Sequence, residues 1–190
     1  MLQLSERTFN LDRFYADCVD ALREDPPQRA VREVLAWALS KQTAVRAALG
    51  EPAWAQVQKL YHAPDLTILN VVWAPGMTVM PHDHRMWAII GIYEGREDNI
   101  FWRRLKNEPG GKVEAAGARA LAAGDCCTLG PDIVHSVTNP IPRFTGAIHV
   151  YGGDFFNTAR SEWDPETLLE KPYDVAKTMR LFEEANRHCA

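Results

Sequence analysis

Residues 81–95 read PHDHRMWAIIGIYEG, and residues 124–139 read GDCCTLGPDIVHSVTN. Both blocks join histidine to a short apolar run bounded by glycine. His82 and His84 flank Asp83. Residues two apart on a strand point to one side, so the two imidazoles can share a single ion. The second block carries a third histidine, His135, with Gly124 ahead of it and Asn139 behind; Gly76 and Gly95 bracket the first block. An isolated His-x-His is equally a pair of polar loop residues. It gains meaning from its surroundings.

Working outward, residues 66–73 are nearly all apolar and rich in β-branched types, and Pro75-Gly76 ends them. Strands are expected over 77–80, 87–93, loosely 99–105, then 112–115 and 118–121 as two pieces separated by glycine, 125–129, 134–138 and 145–151, with a turn at 107–111. Many short strands between Gly and Pro turns argue for an all-β barrel or sandwich.

The ends read as helix. Leu11, Phe14, Tyr15, Cys18, Val19 and Leu22 form one apolar stripe. Pro26-Pro27 stops that helix and starts a second, with Val31, Val34, Leu35 and Ala38 on one face. Ser40 is the expected N-cap of a third helix ending at Gly50, and a further turn is expected through Trp54 and Val57. Downstream, Asp164-Pro165-Glu166 is expected to open a short helix and Asp174 to cap a final one. The expected organisation is one domain over 1–190, with a helical segment at 1–60, a barrel at 61–155 and a tail at 156–190.

Composition agrees with an ordinary globular chain: of 190 residues, 46% are hydrophobic and 24% charged, and the formal net charge is −4. That mild charge gives no reason to expect a nucleic-acid partner. The four cysteines form no CxxC pair and read as free thiols in a reducing compartment, with Cys126 and Cys127 on opposite faces of a strand. The opening MLQLSERTFN lacks a basic region followed by an apolar run, so no signal peptide is expected; no segment reaches membrane-spanning length, and the expected location is cytoplasmic.

The two blocks resemble the two motifs of the cupin superfamily. The resemblance implies an all-β cupin, a double-stranded β-helix or jelly-roll barrel, with N-terminal helices and a short C-terminal helical segment. It also implies His82, His84 and His135 as metal ligands. Ala88 occupies the position of the usual cupin glutamate. Three neutral ligands leave the charge of a divalent ion intact and several positions open, which suits substrate and oxygen together and equally a catalytic zinc.

Residues 61–160 resemble the bacterial thiol dioxygenases, the family of cysteine dioxygenase and 3-mercaptopropionate dioxygenase. Those cupins hold ferrous iron, Fe(II), with three histidines and no glutamate. By that resemblance His149 and Tyr151 are the histidine and tyrosine beside the metal, and Arg160 grips the substrate carboxylate. Two residues apart on a strand, His149 and Tyr151 both face the interior, where a buried His can orient a Tyr hydroxyl. Three departures stand out. Ala88 also occupies the place where mammalian cysteine dioxygenases carry a crosslinking cysteine. Ala147 replaces a serine common two residues before the histidine. The arginine that cysteine dioxygenases place before the first barrel strand is missing, Lys59 being the lone cation between Arg46 and Arg85.

Trp87 either walls the substrate pocket or fills the core. Arg85 and Asp83 alternate away from the ligand pair, toward a rim salt bridge and turn hydrogen bonds. Arg103 and Arg104 cannot both face inward, and Asn139 is expected to fix a turn. The implied activity is oxidation of a small thiol carboxylic acid, 3-mercaptopropionate or cysteine, by O2 to a sulfinic acid. The alternatives are a non-catalytic cupin binding a small acid or sugar, a cupin isomerase, and a zinc or nickel enzyme.

Overall fold

The computed structural model describes residues 8–106 and 108–189. Most of the stretch read for a signal peptide, and Asn107 of the expected 107–111 turn, lie outside the described residues. Three helices lead, α1 Leu11–Ala21, α2 Pro27–Leu39 and α3 Gln42–Leu49. Nine strands follow, β1 Gln56–Ala63, β2 Leu66–Trp73, β3 Thr78–His82, β4 Ala88–Glu94, β5 Arg96–Arg104, β6 Val113–Ala122, β7 Cys126–Leu129, β8 Val134–Thr138 and β9 Thr145–Tyr151. A hairpin of β10 Ser161–Trp163 and β11 Glu170–Pro172 leads into α4 Val175–Cys189.

The pairing is that of one long hairpin rolled up. Around the β5–β6 turn, β5 pairs β6, β4 pairs β7, β3 pairs β8 and β2 pairs β9, all antiparallel. Successive coils are stitched by β4 with β9 and β5 with β8. Two sheets result, β1-β2-β9-β4-β7 and β11-β10-β3-β8-β5-β6. This is the double-stranded β-helix of the cupin barrel, with the N-terminal helices outside it.

All eight residues of β2 and all seven of β9 are buried, because that sheet is covered on both faces. Leu69, Val71, Trp73, Ala147 and Tyr151 point into the barrel. Leu66, Ile68, Ile148 and Val150 point to the helices, where they meet Phe14, Val31, Leu35 and Leu39. Gly91 of β4 admits α2: a Cβ there would lie 2.8 Å from the methyl carbons of Leu35 and Leu39. Cys126 faces the helices and Cys127 the barrel, and all four cysteines are free. No described helix is long and apolar enough to cross a membrane.

Several local expectations are corrected. Ser40 caps no helix start; it ends α2, its hydroxyl donating to the Trp37 carbonyl, and Lys41 precedes α3. The helical turn expected through Trp54 and Val57, within the segment 1–60, gives way to β1 from Gln56, because Gln56–Ala63 finds an edge position beside β2. The pieces expected at 112–115 and 118–121 are one strand, β6. Its register against β5 slips by one at Ala116, since Phe101 faces Gly117 and Trp102 faces Ala115. Asp164 does accept from the backbone of Glu166 and Thr167, yet it turns the β10–β11 hairpin and opens no helix. Asp174 caps α4 as expected, accepting from Lys177 N.

Candidate metal centre

Strand β3 ends at His82, and His84 lies two residues beyond it. Strand alternation therefore accounts for His82 alone; the turn after β3 brings His84 round. Strand β8 carries His135 directly across from His82. The structure brings the three imidazoles together, each 6% exposed or less. One ring nitrogen from each lies within 4.8 Å of the others. Nε2 of His84 and Nε2 of His135 are 2.9 Å apart.

Two of the rings have their other nitrogen committed. Nδ1 of His82 donates to the Met80 carbonyl at 2.8 Å, and Nδ1 of His135 donates to Asn99 Oδ1 at 2.7 Å. Both Nε2 atoms thus present lone pairs to the centre of the cluster. Nδ1 of His84 is buried without a partner among the described residues. Burial pushes the His82 imidazole down to about 4. It also depresses His84 and His135, helped by the neighbouring imidazoles. The rings are held neutral, as ligands must be.

The residues suit a divalent ion. Two nitrogens at right angles around an ion, with bonds of about 2.1 Å, lie roughly 3 Å apart, and two imidazole nitrogens at the observed spacing call for a cation or proton between them. The nearby acids are engaged elsewhere. Asp83 accepts from Ser161 N and Arg104 and pairs with Arg85. Glu162 holds Lys177, Lys171 and Asp174 N. Ala88, fully buried, faces the barrel interior with Tyr151 as its β9 partner.

The histidines open on a cavity walled mostly by Leu69, Val71, Trp73, Val79, Phe155 and Phe182. His149, Tyr151 and Arg160 also line it. The His149 Nδ1 and the Tyr151 hydroxyl are 3.0 Å apart. The Tyr151 ring packs against His84 at 4.9 Å and Phe155 at 4.3 Å. Burial raises the Tyr151 phenol, so its hydroxyl keeps its proton. Arg160 is clamped between two rings, 3.9 Å from Phe155 and 4.5 Å from Tyr173. Its Nη1 is buried with no hydrogen-bond partner among the described residues.

Trp87 is not among the cavity's walls. Its ring lies on Gly152, where a Cβ would come within 1.8 Å of it, and packs with the helix-side cluster; the pocket-wall reading is set aside. Arg85 forms the expected rim bridges, to Asp83 and Glu170. Arg103 faces outward to Glu114 while Arg104 turns to Asp83. Asn139 does fix a turn, donating to the carbonyls of Trp73, Ala74 and Arg143.

Sequence reasoning missed four contributors. Tyr173 reaches the site because its N–H bonds the Arg160 carbonyl, closing the hairpin of the supposed tail. Phe182 comes from α4, which Asn186 ties to the backbone of Ala55 on both sides of its amide. Glu97 and Asn99, buried on β5, stand behind His149 and His135. Their strand reads REDNIF, where alternation of 97, 99 and 101 was the available signal, masked because the inward residues are themselves polar.

No family model matches the chain. Among solved structures, an RmlC-like cupin family protein from Methanocaldococcus jannaschii shares 12% identity over 55% of this chain and 84% of its own, with a TM-score of 0.45. A cupin superfamily protein from Desulfitobacterium hafniense shares 15% over 57% of this chain and 87% of its own, at 0.44. An oxalate oxidase in complex with the substrate analogue glycolate shares 19% over 55% of this chain and 53% of its own, at 0.41. The assignment of the barrel rests on the strand pairing described above.

Proposed function

We propose that the chain is a non-haem Fe(II) thiol dioxygenase that converts a small thiol carboxylic acid to its sulfinic acid. The balance is RS⁻ + O2 → RSO2⁻: both oxygen atoms reach sulfur, which loses four electrons as O2 gains four. When bound, the iron supplies that redox chemistry. His82, His84 and His135 would hold it. The observation that carries the reading is Arg160, whose Nη1 is buried and unpartnered in the same cavity as the three-histidine cluster.

A buried Nη1 without an acceptor is costly, and a carboxylate gripped by the planar fork relieves that cost. The rings of Phe155 and Tyr173 hold the fork in place. Arg160 would then fix the acid end of the substrate and leave its thiol toward the histidines. Tyr151 would place its hydroxyl beside them, held there by its hydrogen bond with His149. The apolar walls exclude water. No Asp or Glu side chain lines the cavity among the described residues, so nothing there would pair with a substrate ammonium. The preferred substrate is therefore an amine-free thiol acid such as 3-mercaptopropionate rather than cysteine.

The test is metal analysis of protein purified without added metal, joined to oxygen uptake with 3-mercaptopropionate, cysteine and cysteamine. Stoichiometric iron and thiol-dependent uptake are expected. Arg160→Ala should lower kcat/KM for the carboxylate-bearing thiols about 100-fold and spare cysteamine. Iron-free protein that binds a small acid without turnover would place the chain among binding modules instead.

A further inference from the structure

Glu97 is a fully buried carboxylate with no Lys or Arg partner among the described residues. Two donors and one ring nitrogen surround it. Its Oε2 accepts from Trp73 Nε1 at 2.9 Å, and its Oε1 accepts from Asn99 Nδ2 at 2.9 Å. His149 Nε2, which has no hydrogen bond, lies 3.5 Å from the same Oε2. An acceptor-only group in such a place dictates the orientation of everything it touches.

On one side the chain of consequence reaches the metal centre. Because Asn99 turns its NH2 to Glu97, its Oδ1 must face His135, at 2.7 Å from Nδ1. His135 then donates from Nδ1 and keeps the Nε2 lone pair for the cluster. On the other side, a proton on His149 Nε2 would point at the carboxylate and leave Nδ1 to accept from the Tyr151 hydroxyl. Ala147 offers His149 no hydroxyl, so a different group must set that ring.

We infer that Glu97 is a positioning residue: one buried carboxylate sets the tautomer of His149 and, through Asn99, that of His135, and so aligns the Tyr151 hydroxyl with the three-histidine cluster. The place of this network in a reaction rests on the dioxygenase reading above; the network itself does not.

The test uses the full chain, histidine-labelled with 15N and loaded with zinc, a diamagnetic ion. Long-range 1H–15N spectra report which ring nitrogen carries each proton, with His149 assigned through His149→Phe. The expected result is a proton on Nε2 of His149 and on Nδ1 of His135. Glu97→Gln should move the His149 proton off Nε2 and lower kcat about 10- to 100-fold, with little change in KM for 3-mercaptopropionate. A wild-type His149 protonated on Nδ1 alone overturns the inference, even if the variant does not fold. So does a Glu97→Gln protein with unaltered ring spectra. If wild-type protein takes up no oxygen with any thiol, the dioxygenase reading fails while the spectra still decide the role of Glu97.

Discussion

His82 and His135 are cross-strand partners whose ring centroids lie 4.6 Å apart, and a bulge in β3 makes them so. Thr78 and Val79 pair in regular register with Thr138 and Val137; one extra residue then intervenes before His82 meets His135. Pro81 lies inside that bulge, where its missing N–H costs no ladder bond. Beyond His82 the chain leaves the strand, so His84 can swing to within 2.9 Å of His135.

If the three rings share one ion, as proposed, no single histidine is dispensable. Alanine at His82, at His84 or at His135 should each lower iron occupancy by more than about 10-fold under equal loading. Metal analysis after gel filtration reads this directly. Full occupancy in all three variants would remove the cluster from the site.

The metal-free protein should lose stability as the pH falls. Burial holds His82 neutral down to about 4 and depresses His84 and His135 as well. In the unfolded chain these rings take up protons near pH 6.5. Between those values the unfolded state binds more protons, so the unfolding free energy rises with pH. Thermal melts from pH 7 to pH 5 should show a falling Tm, and a flat profile in that window would contradict the burial of these rings.

On the proposed dioxygenase reading, Tyr151→Phe should retain iron and slow turnover by about 100-fold. The ring stacked 4.3 Å from Phe155 remains; only the hydroxyl facing His149 is lost. Unchanged kcat and KM would return Tyr151 to a packing role.

Gly146→Ala should destabilise the barrel without touching the metal centre. A Cβ there would lie 2.2–2.5 Å from the Tyr93 ring and hydroxyl. Tyr93 is fully buried and donates to Asn70, so it cannot give way freely. Overpacking of this kind costs about 3 kcal/mol, read as a lower denaturant midpoint with metal content unchanged in the folded fraction.

Asp83→Asn should weaken both stability and metal binding. The Asp83 carboxylate, fully buried, joins Arg104, Arg85 and the Ser161 backbone to the turn between two ligands. Because both arginines are partly solvated, the expected loss is about 1–3 kcal/mol, with a metal Kd about 10-fold weaker. Calorimetric titration against wild type tests the pairing.

Where the sequence carried a strong period or a hard punctuation mark, structure followed it. The α1 stripe, the Pro27 start of α2, the apolar runs of β2 and β9 and the cap at Asp174 are all local matters of spacing, proline and side-chain oxygen. Readings failed where two local outcomes use the same residues. Asp164 with Pro165 suits a helix start and a hairpin turn equally, and only the partner strand chose between them. The run from Gln56 to Ala63 has little of its own to say; its edge position beside β2 made it a strand.

By itself the sequence determined that this chain carries His82, His84 and His135 in a β-rich middle, with apolar helices to cover one side. Spacing and alternation are properties of neighbours along the chain, so they are readable there. Tertiary structure alone decided that Glu97 lies behind His149, that Asn99 turns its amide to His135, and that Tyr173 and Phe155 close on Arg160. The first two pairs lie dozens of residues apart, and Tyr173 returns to Arg160 only because the β10–β11 hairpin closes. Their meeting depends on register across coils of the rolled hairpin, and register is set by the burial of a whole face at once, which no single segment specifies.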